Sequence, residues 1–324
     1  MAQLTYLEAI ADALRLEMRK DERVFLLGED IATYGGAFKL TKNFHVEFGR
    51  SRVLDCPISE SAIIGAAIGA ALNGMRPIAE MQFMDFVTCG FNQIVNVAAT
   101  TAYRWGIGIP MVVRGPSGGG VGANPFHSRN SEAWFAHASG VKVVCPAFPS
   151  DAKGLMTASI RDNNPVVFYE HKGLYRKIKE EVPDGEYVIP LGKARIVREG
   201  KNATIVAYGS AVHFALAAAE ELSKEGVSIE VIDIRTLVPF DQETVLDSAR
   251  KTNRILIAHE ASLTAGFGGE IAARIAEHAF EYLDAPILRV AAYDSPTPFA
   301  PTLEKAVLPN SEKVLASMRK LLEY

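Results

Sequence analysis

Residues 140–170 read GVKVVCPAFPSDAKGLMTASIRDNNPVVFYE, and this stretch decides the fold. Two short apolar runs, Val141–Cys145 and Val166–Glu170, flank Asp151–Arg161, where Ala152, Leu155, Met156 and Ile160 recur at helical spacing. Strand, helix and strand in about 30 residues make a βαβ unit, which demands a parallel sheet with helices on its faces. The runs are apolar without alternation, as expected of strands buried on both sides.

The alternation extends in both directions. Upstream, strands are expected at Val24–Leu27, Arg52–Asp55, Ile78–Phe83 and Ile109–Arg114, with helices at Ser61–Leu72, Phe86–Tyr103 and Ser131–Ala138. An N-terminal helix carries Leu7, Ile10, Leu14 and Met18 on one face behind a capping box of Thr5 and Glu8. Downstream, LYRKIKEEVPDGEYVIP (174–190) is charged and proline-flanked, without an apolar period, and reads as a linker. A second alternation follows. Strands at Ala203–Tyr208, Ser228–Ile234, Arg254–His259 and Ile287–Ala291 intersperse with helices at Val212–Lys224, Gln242–Lys251, Gly269–Leu283 and Glu312–Leu322. Two α/β domains with mainly parallel sheets result, residues 1–175 and 191–324, joined through 176–190.

The 324 residues suffice for two such domains, and a hydrophobic fraction of 48% gives each a core. With charged residues at 22% and a net charge of −4, nothing calls for nucleic acid or an anionic membrane as partner. Cys56, Cys89 and Cys145 lack metal or disulfide spacing, which favours a reducing compartment. The amphipathic start does not resemble a signal peptide, and the apolar run Ala62–Met75 is too short to span a bilayer. A cytoplasmic protein is expected, or one of the mitochondrial matrix after processing.

Ligands of parallel sheets sit beyond the carboxyl ends of the strands, so the strand-to-helix turns are the places to search. Glu60 opens a helix of small apolar residues that includes Gly65 and Gly69. It either complements the helix dipole or binds a ligand, because a carboxylate at an apolar site is costly unless something engages it. The glycine pair alone reads as tight helix packing. Arg114–Gly122 (RGPSGGGVG) is a flexible loop or a phosphate cradle without a known phosphate pattern, and it leads to His127-Ser128. Phe86 reads as core unless a flat ligand lies near it. Ser159–Pro165 is a plain turn, or an oxygen-rich nest for a hard cation built on Asp162 and Asn164.

Together these residues resemble a family. Glu60-x4-Gly65-Ala66-x-x-Gly69, RPIAEMQFMDF (76–86), the glycine loop with His127-Ser128, GVKVVCP (140–146), SDAKGL (150–155), RDNNPVVF (161–168), LYR (174–176) and IDIRTLVPFD (232–241) occur in the order found in one group of chains. These are the beta subunits of the thiamine-diphosphate-dependent 2-oxoacid dehydrogenase decarboxylating components, of the pyruvate and branched-chain types. The resemblance implies a pyrimidine-binding thiamine-diphosphate domain followed by a transketolase C-terminal-like domain. It implies that Glu60 hydrogen-bonds the aminopyrimidine and so promotes loss of the thiazolium proton. Phe86 packs on that ring near Gln82, and His127 assists acyl transfer to a lipoyl disulfide. By the same resemblance Ser159, Ile160, Asp162 and Asn164, with backbone oxygens of Ile109, Met111 and Val112, form a potassium site. Ala70 and Arg129 depart from the family pattern, which often has Gln at both places.

The GDG…N motif that holds Mg²⁺ and the cofactor diphosphate in such enzymes has no counterpart here. The resemblance therefore implies half an active site. An alpha subunit completes it in a two-alpha, two-beta heterotetramer containing a second beta subunit, and a lipoyl acyltransferase core accepts the acyl group. The rival readings are the beta subunit of a thiamine-dependent acetoin dehydrogenase and a non-catalytic scaffold.

Overall fold

The computed structural model describes residues 1–324 and divides them into two compact units. The first holds Met1–Ser117 and Trp134–Leu191, the second Gly118–Ala133 and Gly192–Tyr324. The glycine-rich segment after residue 117 thus belongs with the second unit, and the expected linker 176–190 runs within the first.

The first unit opens with strand β1 (Ala2–Thr5) and helix α1 (Tyr6–Lys20). The capping box is present as expected: the Thr5 hydroxyl accepts from the Glu8 N–H, and the Glu8 carboxylate accepts from the Thr5 N–H at 2.8 Å. Strand β2 (Val24–Glu29), helix α2 (Phe44–Phe48), β3 (Val53–Cys56), helix α3 (Glu60–Leu72) and β4 (Arg76–Glu80) follow. Then come helix α4 (Ala99–Trp105), β5 (Val112–Ser117), helix α5 (Glu132–Ala136), β6 (Lys142–Val144), helix α6 (Pro149–Arg161), β7 (Val166–His171) and β8 (Lys179–Val182). Strands β6, β7, β5, β4, β2 and β3 lie side by side in that order, all parallel. Strands β2, β5 and β7 are buried along their whole length, which explains the unalternating apolar starts Val24–Leu27 and Val166–Tyr169. Ile10, Leu14 and Met18 of α1 and Leu155, Met156 and Ile160 of α6 share one core with Leu26, Ile78 and Phe168 from the sheet.

Two expectations are corrected here. Phe86–Tyr103 is not one α-helix: it is a 3₁₀ turn (Met84–Gly90), a π turn (Gln93–Ala98) and then α4. Gly90 lies directly against Ile64 Cδ1 of α3, leaving no room for a side chain, so the turn is drawn inward where a regular helix would diverge. The charged stretch after residue 174 is not a bare linker, because β8 pairs antiparallel with β1. Its hydrogen bonds come from the strand edge, and no apolar period announces it.

At the centre of the first sheet Arg114 is 1% exposed and lies between two carboxylates, Glu80 and Glu170. Its Nη2 donates to Glu170 Oε2 at 2.6 Å, and Tyr175 donates its hydroxyl to the same oxygen at 2.6 Å. Burial pushes the Glu80 carboxyl upward against the pull of Arg114, with the Glu170 charge adding to the rise.

The second unit carries β9 (Arg195–Arg198), β10 (Ala203–Ala207), helix α7 (Ala211–Ser223), β11 (Ile229–Asp233), β12 (Thr236–Val238) and helix α8 (Gln242–Thr252). It ends with β13 (Ile255–Ser262), helix α9 (Phe267–Ala279), β14 (Leu288–Ala292), helix α10 (Pro301–Val307) and helix α11 (Ser311–Leu321). Its sheet has the order β14-β13-β10-β11-β9, parallel except for the edge strand β9. From β10 the chain moves to β11 on one side and later to β13 on the other. The neighbouring carboxyl ends of β10 and β13 are therefore the topological switch point.

Candidate active site

In the first unit, parallel pairing sets the carboxyl ends of β4, β2 and β3 side by side. Gly28 is in register with Glu80, and Glu29 with Cys56. Glu29 ends β2, and the segments beyond β4 and β3 carry Gln82 and Glu60. Glu60 is the first residue of α3, where unpaired backbone N–H groups favour a negative charge. Its side chain is half-buried and forms no hydrogen bond or ion pair within the chain. A Cβ added at Gly90 would lie 3.4 Å from the Glu60 carbonyl oxygen, so the turn that carries Phe86 abuts the start of α3. Phe86 is half-buried and meets Phe83 edge-on, with centroids 6.3 Å apart and planes at 88°.

The sequence reading passed over Glu29 as a site residue. It is 6% exposed, and its Oε1 is buried without a hydrogen-bond partner. Burial pushes the Glu29 carboxyl upward and the neighbouring Glu60 charge adds to the rise, while the Ser59 N–H opposes it. A carboxylate at the carboxyl end of an apolar strand is the sequence signal that could have found it. Glu60 facing outward and an unsatisfied Glu29 oxygen behind it offer hydrogen-bond acceptors to a flat, nitrogen-rich ligand, which fits the pyrimidine of thiamine diphosphate.

Helix α3 is apolar on every side, yet Ala62, Ala66 and Leu72 are exposed. Nothing lies within 4 Å of where Cβ atoms on Gly65 and Gly69 would be, so no other element of this chain covers the side of α3 to which those atoms would project.

The residues of the expected cation site come together in the first unit. The Val166 N–H donates to the Met111 carbonyl at 3.0 Å, and the Asn164 N–H to Asp162 Oδ1 at 2.8 Å. The Arg76 guanidinium takes the Ile160 and Asp162 carbonyls at 3.0 and 2.9 Å, and Lys142 pairs with the Asp162 carboxylate. The donors are hard oxygens, the type that suits an alkali cation, and two of the carbonyls already share a cation from the chain.

His127 belongs to the second unit, half-buried in the segment 118–133. Its N–H donates to the Asn124 carbonyl at 3.3 Å. The neighbouring Ser128 hydroxyl is buried and has no hydrogen-bond partner. The glycine loop before it is neither free nor a phosphate cradle, because side chains of the second unit occupy its N–H groups. Glu260 accepts from Gly119 at 2.6 Å, and Glu304 accepts from Gly120 at 2.9 Å and Gly122 at 3.1 Å. No helix in the structure is long and apolar enough to cross a membrane.

These two α/β units, one with a carboxylate-tipped apolar helix, define a transketolase-type chain. The transketolase pyrimidine-binding domain matches residues 2–177 and the transketolase C-terminal domain residues 192–314. A solved split-gene transketolase, an inactive beta4 tetramer, shares this fold with a TM-score of 0.83 at 23% identity over 99% of both chains. The chain is 49% identical to the 2-oxoisovalerate dehydrogenase subunit beta of Bacillus subtilis over the full length of both. It is 45% identical to the pyruvate dehydrogenase E1 component subunit beta of the same organism, and 44% to that of Staphylococcus epidermidis, again over both full lengths. The chain belongs to the family of beta subunits of thiamine-diphosphate-dependent 2-oxoacid dehydrogenases.

Proposed function

We propose that this chain supplies the pyrimidine-binding half of a thiamine-diphosphate site and, with an alpha subunit, oxidatively decarboxylates a 2-oxoacid and passes the acyl group to a lipoyl acyltransferase. The observation that carries the reading is Glu60, a carboxylate at the mouth of an apolar helix with no partner in its own chain. Thiamine diphosphate, when bound, supplies the electron sink for decarboxylation, and the protein supplies placement and polarity.

With the cofactor bound, Glu60 would accept a charge-assisted hydrogen bond from its aminopyrimidine. Phe86 would give that ring an apolar wall, with Gln82 near it. Glu29, behind Glu60, holds a proton more readily than an ordinary carboxyl and so limits the negative charge at the site. His127 donates a proton or positions the acceptor during acyl transfer.

An alpha subunit supplies the Mg²⁺ and the diphosphate anchor that this sequence lacks, in a two-alpha, two-beta assembly with a second beta subunit. The uncovered glycine face of α3 supports such a contact, since a bare apolar helix needs a cover. The oxygens of Ile109, Met111, Val112, Ser159, Ile160, Asp162 and Asn164 would hold a structural K⁺, sharing the Ile160 and Asp162 carbonyls with Arg76.

The test is reconstitution with the cognate alpha chain and measurement of thiamine-diphosphate-dependent reduction of an artificial electron acceptor. Turnover with pyruvate or 2-oxoisovalerate that requires both chains is the expected result. Turnover with acetoin alone would assign the chain to the acetoin-cleaving enzymes, and no turnover with any of the three would leave a scaffold.

A further inference from the structure

In open parallel sheets the crevice at the topological switch point is where a ligand binds. In the second unit, residues at and beyond the carboxyl ends of β10 and β13 hydrogen-bond the unit's own segment 118–133. Glu260, near the end of β13 and 7% exposed, accepts three hydrogen bonds: from the Gly119 N–H at 2.6 Å, Asn130 Nδ2 at 2.9 Å and the Ser210 hydroxyl at 2.7 Å. Ser210 follows β10, and Tyr208, also beyond β10, donates its hydroxyl to Glu132 Oε1 at 2.8 Å. From α10, Glu304, 5% exposed, accepts from Gly120 and Gly122. Gly118, Gly120 and Gly122 adopt left-handed φ values (83°, 77° and 69°), and the N–H groups of Gly119, Gly120 and Gly122 all donate to carboxylates, as loop amides do to a bound anion. Here the anions are side chains. Attachments at 119, 120 and 122 and at 130 and 132 bracket His127 on both sides.

We infer that Glu260 and Glu304 are positioning residues, and that the second domain acts in the reaction by clamping the loop that carries His127. The inference rests on the role given to His127 in the proposed function. A loop rich in left-handed glycines is mobile unless its amides are held, and a proton donor must stay within hydrogen-bond reach of its acceptor. Charge-assisted bonds from two buried carboxylates supply that hold.

The experiment compares wild type with Glu304→Ala, Glu304→Gln, Glu260→Gln and Gly119→Ala in the full chain and in the reconstituted complex. The last variant keeps both carboxylates and crowds the loop against α10, because its Cβ would meet Leu308 Cδ1 at 2.5 Å and either the loop or that side chain must shift. Amide hydrogen exchange of residues 118–130 should rise about tenfold or more in Glu304→Ala and Gly119→Ala, with the strands β10 and β13 still protected. Acyl transfer to lipoamide should then fall at least about tenfold more than decarboxylation, and Glu304→Gln, which keeps an acceptor, should recover part of the loss. Unchanged exchange in Glu304→Ala and Gly119→Ala overturns the clamp, and faster exchange with equal loss in both steps overturns its link to His127. A wild-type complex without thiamine-dependent turnover refutes the proposed function instead, and the exchange measurement still decides the clamp.

Discussion

Glu29 and Glu60 are electrostatically coupled across the end of the first sheet: the charge of Glu60 adds to burial in raising the affinity of Glu29 for a proton. Two carboxylates so placed divide the work, the outer one free to meet a ligand and the inner one disposed to carry a proton.

Replacing Glu60 by Gln keeps the shape and removes the charge. Thiamine-dependent decarboxylation should fall by roughly 10²–10⁴-fold. The loss at the helix N-terminus should cost about 1 kcal/mol or less of stability. Rates with an artificial acceptor beside a thermal melt check both halves, and an unchanged rate would favour the scaffold reading.

The acyl-transfer role of His127 separates two steps. His127→Ala should damage transfer to lipoamide by about tenfold or more beyond its effect on decarboxylation. Equal damage to the two rates would remove the assignment.

Arg114 is buried between Glu80 and Glu170, so its charge is held by partners that depend on it in turn. Arg114→Leu strands two carboxylates in the core and should destabilise the protein by about 3–5 kcal/mol. A melting temperature within about 2 °C of wild type would contradict this account of the sheet.

His259 gives the second unit a pH dependence. Burial, with the Arg289 charge assisting, pushes its imidazole from 6.5 down to about 4. Its ring stacks on Tyr208 at an interplanar angle of 3°, and Gly266 and Gly268 pack against it. Between those two pH values the unfolded chain binds the extra proton, so stability is full above the unfolded value and is lost as pH falls through the folded one. The loss amounts to about 3 kcal/mol. Denaturant titrations from pH 7 to 4 should show it, and His259→Asn should flatten that slope.

What the sequence disclosed and what it hid follow from the range of the forces involved. Strands such as Val166–His171 are buried on both faces, so their composition alone identifies them. The Thr5–Glu8 capping box spans four residues and is equally legible. Glu60 stood out because a charge begins an apolar helix. Glu29 did not, because its character depends on which strands neighbour β2. The membership of the glycine loop was hidden for the same reason. Its anchors, Glu260 and Glu304, lie 141 and 184 residues from the amides they accept, beyond any local pattern. The edge strand Lys179–Val182 is charged and alternates poorly, so only its pairing with Ala2–Thr5 reveals it.

The passage of segment 118–133 into the second unit makes this a two-domain chain that cannot be severed at a single point. The polypeptide changes unit after Ser117, again after Ala133 and once more after Leu191. A fragment cut at the last junction would leave its downstream half without the stretch that donates hydrogen bonds to Glu260 and Glu304, and water would have to replace those amides. Recombination between relatives should therefore exchange 118–133 together with 192–324, as one module written in two separate stretches of sequence.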